Sequence, residues 1–159
     1  MKKISLALAG VFASSMFYAA SAQDDGPTPE EQAMAATADR QAVFKLLRVN
    51  IGAIIGMAQG APFEAEVAER NARRIATIAT MIPEVFNMDT RGYDVQTLAL
   101  DVIWDDPEDF GDKAQALVAA ANEFADVAAG GDMAATLGAV QQLGGTCGNC
   151  HDTYRQDVD

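Results

Sequence analysis

The chain has 159 residues, with 11 Lys and Arg against 23 Asp and Glu, and half of its residues are apolar; this suits one globular domain and excludes a disordered or collagen-like chain. A formal net charge of −12 opposes a phosphate backbone, whose binding rests on clustered Lys and Arg releasing counterions, so nucleic acid is excluded as a partner. Aromatics are only 7% of the chain, and β-branched alternation is scarce beside abundant Ala, Leu and Ile, which predicts an all-α domain.

Met1-Lys2-Lys3 is basic, Ile4 to Ala19 is mostly apolar, and Ala20-Ser21-Ala22 has the small-x-small form of a signal-peptide cleavage site. The expectation is a cleaved leader over residues 1–22, a mature domain over residues 23–159, and export to an oxidising compartment, most simply a bacterial periplasm. Removing the leader takes away Lys2 and Lys3 and no acids, leaving 9 basic against 23 acidic residues, a net charge of −14. No later segment reads as a membrane span, so no insertion is expected after cleavage.

Four helices follow in order. Thr28-Pro29-Glu30-Glu31 supplies a capping hydroxyl, a proline at the first helical position and a Glu three residues after the cap, which predicts a long helix to about Gly60. A second begins near Pro62, with Val67, Ile75, Ile78 and Ile82 on one face, Arg70, Arg73 and Arg74 elsewhere, and Pro83 at its end. A connection from Pro83 to Asp105 is longer than most links in compact domains, and a short helix over residues 95–104 is expected inside it. The third helix opens at Asp106-Pro107-Glu108; Phe110, Ala114, Leu117, Ala121 and Phe124 form its stripe, and Gly130-Gly131 ends it. The fourth starts after Asp132 and carries Leu137, Val140, Gly144, Cys147, His151 and Tyr154 at three- and four-residue spacing. An antiparallel four-helix bundle accounts for these amphipathic segments.

The two cysteines and the single histidine fall together as Cys147-Gly148-Asn149-Cys150-His151, the C-x-x-C-H signature of covalent haem attachment. Each thiol adds across one vinyl group of the porphyrin, and the adjacent imidazole meets the iron as axial ligand. Three other readings compete. A structural zinc ion wants four N or S ligands where this chain offers three; a thioredoxin-like pair belongs beside a βαβ pattern, which is missing here; and a local disulfide leaves His151 unexplained. The lone Trp104 reads either as a core plug or as a neighbour of a ligand.

On a wheel of about 100° per residue, Phe44, Leu47, Ile51, Ile54 and Ile55 fall within about 60° of Arg40, while Gln41, Lys45 and Arg48 form a polar stripe. Arg40 is thus a cation on a face otherwise suited to burial, and it needs a counter-ion: an acid of the chain or a haem propionate, which its planar fork suits.

The segment Gly144-Gly145-Thr146-Cys147-Gly148-Asn149-Cys150-His151-Asp152-Thr153-Tyr154-Arg155 resembles the last helix of the cytochromes c′, class II c-type cytochromes with haem inside a four-helix bundle. Arg40-Gln41-Ala42-Val43-Phe44-Lys45, Ile103-Trp104 and Asp109-Phe110-Gly111 are similar to the same family, and the motif's place after four helices selects it among c-type cytochromes. Gly148 and Asn149 depart from relatives in which Lys is common between the cysteines. The resemblance implies one covalent haem c on Cys147 and Cys150, His151 as iron ligand, Arg40 on a propionate, Phe44 at the distal pocket and Arg155 on the proximal side. From the residues alone, Arg155 reads equally well as a solvent-facing cation at a helix end, and Phe44 as a core side chain.

A phenyl ring cannot ligate iron. Met34 and Met57 lie ten and thirteen residues from Phe44, about 15 and 20 Å along a helix axis, so neither replaces it, while Met81 and Met88 stay open as sixth ligands. The expectation is a five-coordinate iron under an apolar pocket, suited to NO and CO and disfavouring the polar bound form of O₂. Electron transfer is the second reading, and the −14 charge then favours a basic partner. An enzyme is disfavoured, since no distal acid or base is evident. Val43, Leu46, Val49 and Ala53 extend the first helix's apolar surface beyond the Arg40 face, and a homodimer through the first two helices would cover the surplus.

Overall fold

The structure, a computed structural model, describes residues 26–157; the predicted leader and its cleavage point lie outside the described residues. Helix α1 (Pro29–Ala58) starts where the sequence predicts: Thr28 Oγ1 accepts from the Glu31 amide, and the Thr28 amide donates to Glu31 Oε2 at 2.8 Å, closing a capping box. It ends at a turn through Gly60, whose φ of 103° favours a residue without Cβ.

Helix α2 (Ala65–Ala79) is shorter than expected. Pro83 does not end it; it sits in the first turn of a separate short helix, α3 (Ile82–Val85), where its missing N–H costs nothing. The connection then runs extended, and only its last part, Asp101–Trp104, coils as a 3₁₀ turn in place of the expected helix over residues 95–104. Tertiary pairing displaces the helix: the Leu100 amide donates to the Tyr154 carbonyl and the Gln156 amide to the Leu98 carbonyl, so that Ala99 and Arg155 form an antiparallel bridge. Helices α4 (Pro107–Ala129) and α5 (Met133–Tyr154) are each capped by an aspartate, Asp106 accepting from the Asp109 amide and Asp132 from the Ala135 amide.

The bundle is tight on one side and open on the other. Helix α2 packs closely on α4, α4 on α5 and α1 on α2, whereas α1 and α5 scarcely touch. Small residues permit the close approach: Ala68, Ala72, Ala76 and Ala79 of α2 and Ala114, Ala121, Ala125 and Ala128 of α4 are all buried. The predicted α4 stripe is buried in full. On α2 the predicted stripe is buried only at Ile75, with Ile82 buried in α3 and Val67 and Ile78 half-buried, because alanines make the seam. On α5 the core residues are Thr136, Leu143 and Tyr154, and the expected stripe through Gly144, Cys147 and His151 faces the gap beside α1.

Helix α1 serves both sides. Arg40, Val43, Asn50, Ile54 and Met57 are buried, so Val43 belongs to the core and not to the exposed surplus. Phe44, Leu47, Ile51 and Ile55 line the gap, and Met34, Leu46 and Val49 face outward. One expectation is corrected here: by length and composition α1 is apolar enough to cross a membrane. Its apolar character instead reflects three simultaneous demands, the core, the gap and the outward stripe.

Candidate cofactor site

The gap between α1 and α5 is a cavity of about 860 Å³, closed on its remaining sides by α4, Phe86 and the extended residues 96–99. Its α1 wall is Phe44, Leu47, Ile51 and Ile55; Ile82, Phe86, Phe110 and Leu117 continue the apolar lining. From α5, Cys147, Cys150 and His151 face the same space, one turn of helix separating the two sulfurs. Neither cysteine is in a disulfide, and before any attachment partial burial pushes each thiol above its ordinary pKa. His151 is pushed down, first by partial burial and then by the Arg155 charge, against the opposing pull of Asp152. The imidazole is therefore neutral near pH 7, the form that offers a lone pair to a metal.

Arg40 is buried at the inner edge of the cavity. Its Nε donates to the Val85 carbonyl at 2.9 Å, and the two terminal nitrogens donate to Thr90 Oγ1 at 2.8 Å and the Met88 carbonyl at 2.5 Å. The guanidinium also lies 4.6 Å from the Phe86 ring and 5.1 Å from that of Trp104. Among the described residues no carboxylate forms an ion pair with it, so the acid partner offered by the sequence is replaced by neutral oxygens of the loop. These bonds use three of the five guanidinium N–H groups and leave two for another acceptor.

Trp104 does not line the cavity. It stands behind Phe86, tilted against it at 6.1 Å, with its indole N–H donating to the Phe86 carbonyl at 3.0 Å. Arg155 lies past the end of α5 with extended backbone, so it shares no helical face with His151, yet it lines the cavity beside it. Neither Met81, exposed on the turn before α3, nor Met88, half-buried in the loop, is among the lining residues.

Periodicity alone could not find Phe86 or residues 96–99, which lie in the irregular connection. A further group missed in the sequence ties the attachment motif to α4: the Tyr154 hydroxyl donates to Asp109 Oδ2 at 2.6 Å, and Lys113 Nζ lies 3.6 Å from the same oxygen and 3.3 Å from Asn149 Oδ1. The adjacency of Asp109 and Lys113 on one helix face was the available signal.

Among the described residues there is no group of three or more His, Cys, Asp and Glu placed to hold a metal ion. The donor set that is present, two thiols and a neutral imidazole on the wall of a large apolar cavity, fits a covalently attached porphyrin, and an all-helical bundle built around it defines a c-type cytochrome of the bundle class. Comparison with known proteins narrows the class. The family model for Cytochrome C′ matches residues 35–155. A cytochrome c-554 from Cereibacter sphaeroides is 38% identical over 120 residues, 74% of this chain and 78% of that one. The crystal structure of a cytochrome c′ with an unusual ligand-controlled dimer dissociation superposes with a TM-score of 0.70 at 31% identity, covering 83% of this chain and 99% of the other. The nitric oxide complex of a mutant of cytochrome c prime from Alcaligenes xylosoxidans superposes with a TM-score of 0.69 at 25% identity, covering 79% and 97%. The chain belongs to the cytochrome c′ family, and its cofactor is a covalently bound c-type haem.

Proposed function

We propose that Cys147 and Cys150 hold the haem as thioethers, that His151 is its axial ligand, and that the opposite face, under Phe44, is left open for NO or CO. The observation that carries this reading is the α1 wall: Phe44, Leu47 and Ile51 have no atom that ligates iron, and among the described residues no methionine lines the cavity. When bound, the haem supplies a redox-active iron able to take an uncharged diatomic ligand. The protein's part is to fix the attachment helix through Tyr154 and Lys113, keep His151 neutral, and set the apolar side chains of Phe44, Leu47 and Ile51 on the open side, with the polar side chains of α1 that share the lining, Arg40, Lys45 and Arg48 among them, carrying charge and not ligating groups. That NO binds a relative of the same fold supports the assignment. Arg40 is the propionate partner in this reading, supported by its two spare N–H groups at the cavity edge, and Arg155 is the charge beside the proximal ligand, supported by its effect on His151.

The protein acts in the periplasm after loss of residues 1–22, as a binding and electron-transfer protein without dedicated turnover, since among the described residues no carboxylate lines the cavity to manage protons. Electron transfer is the second role, favoured by the opening of the cavity to solvent along Lys45 and Arg48. Pairing of two copies is supported by the dimer of a structural relative, and the exposed apolar residues of α1 supply the surface for it in this reading.

The test is the optical spectrum of the haem-matured protein, reduced with dithionite and exposed to CO. A broad high-spin reduced band that sharpens and shifts with CO is expected. A sharp, split low-spin spectrum indifferent to CO overturns the vacant site.

A further inference from the structure

The charge of the cavity is opposite to that of the molecule. Of the nine basic residues outside the leader, five line it: Arg40, Lys45, Arg48, Lys113 and Arg155. Of the 20 acidic residues among the described ones, none does. The inner two are committed, Arg40 to the loop oxygens and Lys113 to Asp109 and Asn149. The other three, Lys45 and Arg48 on α1 and Arg155 beyond α5, are exposed at the rim, and among the described residues none forms an ion pair. Two haem propionates cannot neutralise five cations. Since exposed charges are felt over roughly a Debye length, about 8 Å at physiological salt, the rim acts on an approaching partner far more than acids beyond that distance do; of the nearer acids, Asp109 is engaged by Tyr154 and Lys113, and the single exposed Asp152 beside His151 offsets only part of the rim.

We propose that the cavity mouth, framed by Lys45, Arg48 and Arg155, is the docking surface for an acidic electron-transfer partner, despite the net charge of −14 that by itself favours a basic one. The inference rests on the electron-transfer role proposed above and says where, and with what chemistry, that exchange takes place. Long, flexible cations at the mouth steer an acidic surface onto the opening and suppress a basic one, raising the association rate without needing a deep apolar interface.

The experiment oxidises the reduced, haem-loaded protein with two one-electron reagents of opposite charge and varies ionic strength. Ferricyanide, a trianion, takes one electron from the ferrous haem and becomes ferrocyanide; tris(phenanthroline)cobalt(III), a trication, takes one and becomes cobalt(II). If the rim governs, the ferricyanide rate falls several-fold as salt rises from 10 to 500 mM, and the cobalt rate rises. If the whole-molecule charge governs, both slopes reverse, and the proposal is overturned. Lys45→Glu with Arg48→Glu flattens or reverses the ferricyanide slope. Arg70→Glu with Arg74→Glu makes the same change in net charge on α2, in a separate groove away from the cavity, and leaves the slope in place. Equal effects of the two double variants also overturn the proposal.

A second readout requires no electron transfer: titration of the ¹⁵N-labelled holoprotein with poly-L-glutamate. Shifts of amides over residues 41–48 and at Arg155 are expected. Shifts confined to α2, or none, overturn the docking surface even if the oxidation rates are fast. Slow oxidation by both reagents, with the amide shifts at the mouth intact, overturns the electron-transfer role and leaves the surface standing.

Discussion

Phe44 is 37% exposed, held at the cavity mouth with its ring edge-on to Phe86 at 6.3 Å, so it is neither a plain core residue nor a free surface one. Its ring occupies space that a ligand entering from α1 must share. Phe44→Ala is expected to raise CO affinity about tenfold, or ~1.4 kcal/mol, measured by CO titration and flash photolysis; unchanged affinity makes the ring mere packing. Arg40 makes the opposite case, a residue whose structural role is visible before any cofactor is considered. Its three bonds hold the loop through residues 85–90 against α1, and bonds to a charged group contribute roughly 1.5–3 kcal/mol each before losses elsewhere. Arg40→Met is expected to lower the unfolding free energy of the holoprotein by about 3 kcal/mol in urea, with Arg40→Lys intermediate because it keeps the charge and loses the fork. Tyr154 carries the pH dependence. Burial, with the Asp109 carboxylate facing it, pushes its hydroxyl well above the usual tyrosine value, so above about pH 10 the unfolded chain loses this proton while the folded chain keeps it. Stability should therefore fall as pH rises past 10, and Tyr154→Phe should flatten that fall at a cost of about 1 kcal/mol at pH 7, read from denaturation at pH 7 and 10.5.

The extended residues 96–99 are the element least supported by their own neighbours. They are held by the pairing of 98 and 100 with 156 and 154, and by Gln41 Nε2 donating to the Gln96 carbonyl. Leu100→Pro removes one amide donor at a φ of −84°, close to what proline adopts, and leaves the side-chain surface nearly unchanged. It should speed exchange of the Gln156 amide and CO entry together; faster exchange with unaltered entry would show that this strand is no barrier. Such an element was not legible in the sequence, because its pairing joins residues more than fifty positions apart and its side chains follow no helical period. The regular parts were legible for the converse reason. The capping box at Thr28 and the aspartate cap at Asp106 are local, and the α4 stripe from Phe110 to Phe124 repeats at the spacing of a helix facing a core. The cavity was half legible: Cys147, Cys150 and His151 announce themselves by type and spacing, whereas Phe86, Lys113 and residues 96–99 enter it only through the fold. Helix α1 misled the wheel at Val43 because the apolar surface beyond the Arg40 face was assigned to a second copy, whereas part of it, Val43, packs into the core of the bundle.

The molecule as a whole leaves Met34, Leu46 and Val49 at 56%, 52% and 65% exposure along one helix, a costly arrangement for a monomer. Sedimentation equilibrium should therefore find a dimer at micromolar concentration, and Val49→Glu should convert it to a monomer without changing the haem spectrum; a monomeric parent refutes the pairing.

Trp104 gives the whole assembly a light of its own. It is the chain's single tryptophan, and it rests on Phe86, whose ring forms part of the cavity wall. A porphyrin in that cavity lies within easy reach of resonance energy transfer from the indole. The protein emits strongly only while its haem is absent or the bundle is undone, so ultraviolet-excited emission reports haem loading and unfolding without any attached label.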